Sequence, residues 1–203
     1  MKYFLVYLVL ALATATPATA QEALDELFAL LEPLAQLQGE FTQLQYDDRG
    51  ASLGESRGTF RVLRPDYFAW DISAPDSQLV IAGPEFLWHH DRDLDTVTRR
   101  RVDTTGGITP LEILAGDRDA IVTRLQVSRE ADGFLLQPSA GEDVGFSRLL
   151  LRFEGDRLAG MDVLDNLDQR LVIAFSALDL APGLTAADFA FVAPPDADLF
   201  YHD

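Results

Sequence analysis

From Glu40 to Phe175 the sequence is cut by turn residues into short strand-like runs, and this punctuation limits the possible folds more than any other feature. The runs are Phe41–Tyr46, Ser56–Leu63, Tyr67–Ser73, Gln78–Ala82, Phe86–His90 and Thr96–Val102. After an interruption come Ile121–Arg129, Phe134–Gln137, Phe146–Phe153, Leu158–Leu164 and Arg170–Phe175. Asp-Asp-Arg-Gly, Gly-Pro, Asp-Gly and Gly-Asp turns separate several of them, which is the spacing of an antiparallel sheet. About eleven strands with helical pieces at the start and in the middle make one α+β domain dominated by antiparallel β structure. Two short helices cannot cover both faces of such a sheet, and the surplus apolar face points to a cavity.

The helical pieces are legible by period. Over Glu22–Leu37, Leu24, Leu27, Phe28, Leu31, Leu34 and Leu37 recur at three- and four-residue steps, with a kink or break expected at Pro33. Thr109-Pro110 starts a second short helix carrying Leu111, Ile113, Leu114 and Ala115. Thr185–Asp188 reads as a helical turn.

Within the sheet, Gly58–Ile72 is the densest stretch. Pro65 lacks an N–H and pushes Arg64 into an extended conformation, so pairing must break or change partner between the two runs. Phe68, Trp70 and Ile72 then share one face of a period-two strand, with a cation immediately upstream. Phe68, Trp70, Phe86 and Trp88 read either as ordinary core or as a rigid wall suited to an acyl chain. Arg64 reads either as a surface cation ending a strand or as a planar fork that hydrogen-bonds the carbonyls of a facing segment.

Residues 1–20 have the form of a secretory leader: Lys2, the apolar Tyr3–Ala13, and Ala18-Thr19-Ala20 before Gln21. The expected mature protein spans 21–203, is exported, is monomeric and has no stable membrane insertion. No cysteine is present, which removes disulfides, thiol catalysis and thiolate metal sites. The formal charge is −17 and drops to −18 once Lys2, the single lysine, leaves with the leader. A chain so acidic is repelled by nucleic acid and by anionic headgroups, so nucleic acid is not an expected partner and lipid would be handled by an interior surface.

Other chemistry is poorly supported. His89 and His90 point to opposite faces of a strand and cannot grip one ion. Asp91, Asp93 and Asp95 imitate the start of a calcium loop, but Thr96 stands where glycine is needed and Val102 where glutamate closes the loop. A polar hairpin tip explains them, and no metal or other cofactor is expected. Arg99, Arg100 and Arg101 read as an edge strand protected by charge, or as a partner contact. There is no Gly-x-Ser-x-Gly elbow, and an enzyme is not expected. The alternatives are a secreted hydrolase of acyl or glycan substrates using a carboxylate pair, and a structural adaptor with a filled interior.

Several features occur in a specific order. Phe41-Thr42-Gln43 is followed by Gly58, Arg64-Pro65-x-x-Phe68-x-Trp70, Leu87-Trp88 and Thr109-Pro110. Asp168-Gln169-Arg170 and Phe189-Ala190-Phe191 before Pro194-Pro195 complete the series. In these features the chain resembles the LolA family of periplasmic outer-membrane lipoprotein carriers over nearly all its mature length. The resemblance implies an incomplete, half-open β-barrel whose concave side is closed by a helical lid over an apolar cavity for acyl chains. It implies a periplasmic chaperone that an inner-membrane ABC transporter loads with lipoproteins and an outer-membrane receptor, LolB where present, unloads.

Arg64 matches the arginine that latches the lid in this family. Phe68 and Trp70 match its lipid-binding aromatics, and Phe41, Phe60, Phe86, Trp88, Leu149 and Leu151 are the further expected cavity residues. Leu24, Leu27, Phe28, Leu31, Ile108, Pro110, Leu111 and Leu114 would form the lid. Glu112 stands where family members are more often apolar. An RseB-like envelope sensor of lipid or lipoprotein is the other alternative the resemblance implies, since RseB-type sensors share the fold, although they usually carry a second domain.

Overall fold

Pro33 decides how the chain enters its sheet. In the computed structural model, which describes residues 20–102, 113–114, 118–142 and 144–202, helix α1 spans Ala20–Leu31. A 3-10 turn, Glu32–Ala35, follows with Pro33 near its start, and Leu34 (φ −87°, ψ 34°) leaves helical geometry. The expected helix to Leu37 is therefore broken rather than kinked. Proline supplies no N–H for another helical turn, and Gln36 already opens strand β1. The expected leader falls outside the described residues except for Ala20, as do Ile108, Pro110 and Leu111.

The strands are β1 Gln36–Tyr46, β2 Ser52–Leu63, β3 Tyr67–Ala74, β4 Gln78–Ala82, β5 Phe86–Asp91 and β6 Thr96–Arg101. Helix α2, Arg118–Arg124, leads into β7 Leu125–Glu130, β8 Gly133–Pro138, β9 Arg148–Glu154, β10 Arg157–Leu164 and β11 Arg170–Asp179. A 3-10 turn, Ala186–Phe189, precedes β12 Asp198–His202. The twelve strands form one open sheet ordered β12-β6-β5-β4-β3-β2-β1-β11-β10-β9-β8-β7. Two antiparallel meanders, β2 to β6 and β7 to β11, are thus joined through β1, which pairs β2 on one side and β11 on the other. Among the described strands only β12, on β6, is parallel.

Two elements differ from expectation. Ile121–Arg124 is the end of α2, not the start of a strand. Ile-Val-Thr is β-like in composition, but Ile121 is buried beneath the sheet, and Asp119 and Arg124 sit at the helix ends that suit their charges. Strand β12 is absent from the sequence expectation. It consists of five exposed residues, so no alternation of apolar and polar positions marks it.

The inner face of the sheet packs against α1 and against Ile113 and Leu114, which are helical and almost fully buried. Ala23, Leu27, Phe28 and Leu31 of α1 form one buried stripe and join the inner-face residues in a single core cluster. A second, smaller cluster lies on the opposite face. There Ala69 and Ile81 are covered by Phe189, with Tyr67, Trp88 and Phe191 packed around them. Thr185 holds this covering segment in shape, since its N–H and Oγ1 both donate to Asp188 Oδ2, at 2.7 and 2.8 Å. Gly58 marks a close approach of strands, because a Cβ there would stand 1.8 Å from the Asp71 carbonyl oxygen. No described helix is long and apolar enough to cross a membrane.

Candidate functional site

The antiparallel register brings together aromatic side chains that are distant in sequence. Phe41 lies across β1 from Phe175 of β11, and Phe60 of β2 lies across from Trp70 of β3. Directly paired residues share a face, so all four project toward α1. Phe41 stacks on Trp70 with ring centroids 3.7 Å apart. Phe60 is 5.8 Å from Trp70 and 4.8 Å from Phe175, and Phe68 is 6.1 Å from Trp70. The other wing contributes Leu149 and Leu151, both 0 % exposed. Six expected cavity residues, Phe41, Phe60, Phe68, Trp70, Leu149 and Leu151, thus share one apolar cluster beneath Leu27, Phe28, Leu31 and Leu114. Leu24 is partly buried against the same cluster.

Phe86 and Trp88 do not join them. Trp70 pairs with Val80, whereas Trp88 pairs with Ile81, one residue on and therefore on the opposite face. The Trp88 ring lies 5.3 Å from Phe191, under the C-terminal segment. Phe86 and Trp88 instead frame Arg99, whose guanidinium carbon lies 4.4 and 5.7 Å from their ring centroids and 4.4 Å from that of Tyr201. The expectation that Arg99, Arg100 and Arg101 guard a free sheet edge also fails, since β12 pairs along that side of β6. The Asp91–Asp95 tip is a turn staple: Asp91 Oδ1 accepts the N–H groups of Asp93 and Leu94, and Asp93 Oδ2 accepts that of Ser77.

Arg64 follows β2 and reaches both pieces of the roof. Its Nη1 donates to the Leu31 carbonyl at 2.7 Å, while Nε and Nη2 donate to the Leu114 carbonyl at 3.2 and 3.0 Å. Its own backbone N–H donates to the Ala35 carbonyl at 2.9 Å, which anchors the fork beside the end of α1. Leu31 is the last residue of that helix. Its carbonyl has no partner within the helix and carries the negative end of the dipole, so a cation belongs there. Burial holds the Arg64 guanidinium below its usual pKa, and no described carboxylate pairs with it.

In this conformation the inner-face rings pack against one another and against the roof. Two surface recesses bordered by described residues lie toward opposite ends of α1. One, of about 360 Å³, is bordered by Ala20, Gln21, Leu24 and residues of β7. The other, of about 200 Å³, is lined by Phe28, Leu31, Glu32, Arg64 and Arg118. Sequence reasoning missed two participants. Phe175 is recognisable from its alternation with Ile173, whereas Arg118 carries no sequence signal that would single it out.

A family model described as outer membrane lipoprotein carrier protein LolA matches residues 32–192. An outer-membrane lipoprotein carrier protein of Azotobacter vinelandii is 34 % identical over 98 % of this chain and 99 % of its own length. One from Chromohalobacter salexigens is also 34 % identical, over 98 % of each chain. Among solved structures, a LolA superfamily protein from Nitrosomonas europaea aligns with a TM-score of 0.52 at 14 % identity, covering 87 % of this chain and 99 % of its own. An uncharacterised conserved protein from Thermus thermophilus also gives 0.52 at 14 % identity, over 91 % and 99 %. At such identity these two likenesses bear on the fold alone.

Proposed function

This chain belongs to the LolA family of outer-membrane lipoprotein carrier proteins, and from that premise we propose that it is a periplasmic chaperone for lipoproteins. It takes them from an inner-membrane ABC transporter, shields their acyl chains against the aromatic inner face, and passes them to an outer-membrane receptor of the LolB type where one exists. It is a carrier, not a catalyst. The observation that carries this reading is Arg64, which ties α1 and Leu114 together over that face through two carbonyls.

The energetics favour a shield over a trap. A triacylated lipoprotein exposes about 45 chain carbons, and at about 0.8 kcal/mol per buried CH₂ the gross cost in water exceeds roughly 30 kcal/mol. Non-covalent affinity saturates near −18 to −21 kcal/mol, so the relevant reference is the bilayer and not water. Against the bilayer the exchange is close to neutral. Loading therefore needs outside work, and delivery needs only a slightly better surface.

In the empty state the inner face is covered by its own roof and its rings pack on one another. Cargo enters as the roof lifts, which breaks the three Arg64 contacts. Those contacts bias the closed state by a few kcal/mol at most, an amount that acyl burial offsets.

The test is Arg64→Leu in a two-step assay: release of a labelled lipoprotein from inner-membrane vesicles, then transfer to outer-membrane vesicles. Loading is expected to persist while delivery falls about tenfold, since about 1.4 kcal/mol of closing bias is lost. Delivery at the unmodified rate would show that Arg64 is no latch.

A further inference from the structure

Arg64 and Arg118 border one recess of about 200 Å³ whose lining among the described residues also includes Phe28, Leu31 and Glu32. Two guanidinium groups beside one opening are unusual in a chain with a formal charge of −17. Arg64 is part-buried and satisfied only by the uncharged carbonyls of Leu31 and Leu114. The Arg118 guanidinium carbon lies 4.0 Å from the centroid of the Phe28 ring, and a guanidinium held against a ring face keeps N–H donors for a further acceptor. Neither arginine, nor Glu32, forms an ion pair among the described residues. A part-buried cation held only by carbonyls is costly to desolvate, and burial lowers the Arg64 pKa accordingly. An anion in the recess relieves that cost at Arg64 and meets a second guanidinium at Arg118. Phe28 and Leu31 belong to the buried core cluster, so the recess opens beside apolar surface.

We propose that the Arg64–Arg118 recess is a binding site for the anionic head of an amphiphile, a phosphate monoester or phosphodiester, with its hydrocarbon tail directed between Phe28 and Leu31 toward the inner face. The head draws the Arg64 fork toward Arg118. Each N–H that turns to the anion is withdrawn from the Leu31 or Leu114 carbonyl, so occupancy loosens both roof pieces together. The site thereby adds a ligand class, anionic single- or double-tailed lipid, to the uncharged acyl chains of lipoproteins, and makes such a lipid an opener of the roof. This rests on the carrier reading for the destination of the tail, while the head site stands on the two arginines themselves.

The test is calorimetric titration of the delipidated protein with three probes, the two amphiphiles below their micelle concentrations: dodecyl phosphate, dodecyl maltoside and inorganic phosphate. Dodecyl phosphate is expected to bind about tenfold more tightly than dodecyl maltoside, the scale of one charge-assisted contact. Inorganic phosphate should bind more weakly than either. Arg118→Gln should lower dodecyl phosphate affinity about tenfold, and Arg118→Lys should keep part of it. Arg118 is solvent-exposed, so neither substitution threatens the fold. Equal affinity for the phosphate and maltoside amphiphiles, or an unchanged preference in Arg118→Gln, would overturn the head site and leave lipoprotein carriage standing. Inorganic phosphate binding as tightly as dodecyl phosphate would overturn the amphiphile in favour of a plain phosphate site. If neither amphiphile binds, both this site and the carrier reading fall.

Discussion

Replacing Phe41 with alanine asks how full the space beneath the roof is. The Phe41 ring is 2 % exposed and stacks on Trp70 at 3.7 Å, with Leu27, Phe60 and Phe175 in the same apolar cluster. Truncating a phenylalanine in a close-packed core costs about 3–5 kcal/mol, because transfer energy is lost and the walls relax only partly. Taking about 4 kcal/mol, and roughly 2–4 °C per kcal/mol for a domain of this size, the unfolding midpoint should fall by about 8–16 °C. Urea unfolding followed by tryptophan emission should show a lower midpoint with an unchanged slope. The void left behind should also take up a small apolar probe such as benzene. The companion Phe86→Ala should cost less, since Phe86 is only partly buried and lies on the other face. If Phe41→Ala costs only about 1 kcal/mol, the ring hangs in a pre-existing hollow and the packed resting state is wrong.

Other perturbations probe the frame around the site. Gly58→Ala places a methyl 1.8 Å from the Asp71 carbonyl, where only backbone can yield, so β2 and β3 must part. A loss of about 1–3 kcal/mol in chemical unfolding is expected, and neutrality would refute the close approach. His90, which lies 5.8 Å from Phe191, has its pKa lowered, first by burial and then by Arg92, against opposing pulls from Asp95 and Asp91. A depressed folded pKa means that the unfolded chain binds the extra proton first. The His90 contribution is therefore complete above the unfolded value near 6.5 and is lost as pH falls through the folded one. Amide protection factors over residues 189–191, taken relative to the intrinsic exchange rate at each pH, should fall between about pH 7.5 and 5 more than those in β1, and His90→Gln should abolish the difference.

Much of the frame was readable because local signals agreed with the final packing. The stripe Leu24, Leu27, Phe28, Leu31 matched a helix docked on a greasy face, and Arg64-Pro65 marked the strand break. The residues left Arg64 open between a surface cation and a fork reaching facing carbonyls, of which the structure shows the second arrangement. Parity was not readable on β4 and β5. Leu79, Val80, Ile81 and Ala82 are apolar on both faces, so nothing in sequence said whether Trp88 followed Val80 or Ile81. Long-range register settled it, together with a C-terminal cover, Phe189 and Phe191, that gives the outer face its own apolar cluster. Ile121–Thr123 misled because β-branched residues were recruited into a helix by burial of Ile121. Arg118 was invisible for a different reason: its neighbours in the recess come from α1 and the end of β2, far away in the chain.

The seam between β1 and β11 carries a consequence for how such a chain matures. Thr42 meets Ala174 and Tyr46 meets Arg170, so a strand made early must wait for one made far later in the chain. Closing so wide a loop is entropically slow, and until it happens one rim of β1 lies bare beside Phe41, Phe60 and Trp70. A nascent chain emerging amino terminus first therefore passes through a sticky half-sheet stage. Shortened products ending before Arg170 should precipitate rather than persist as stable fragments.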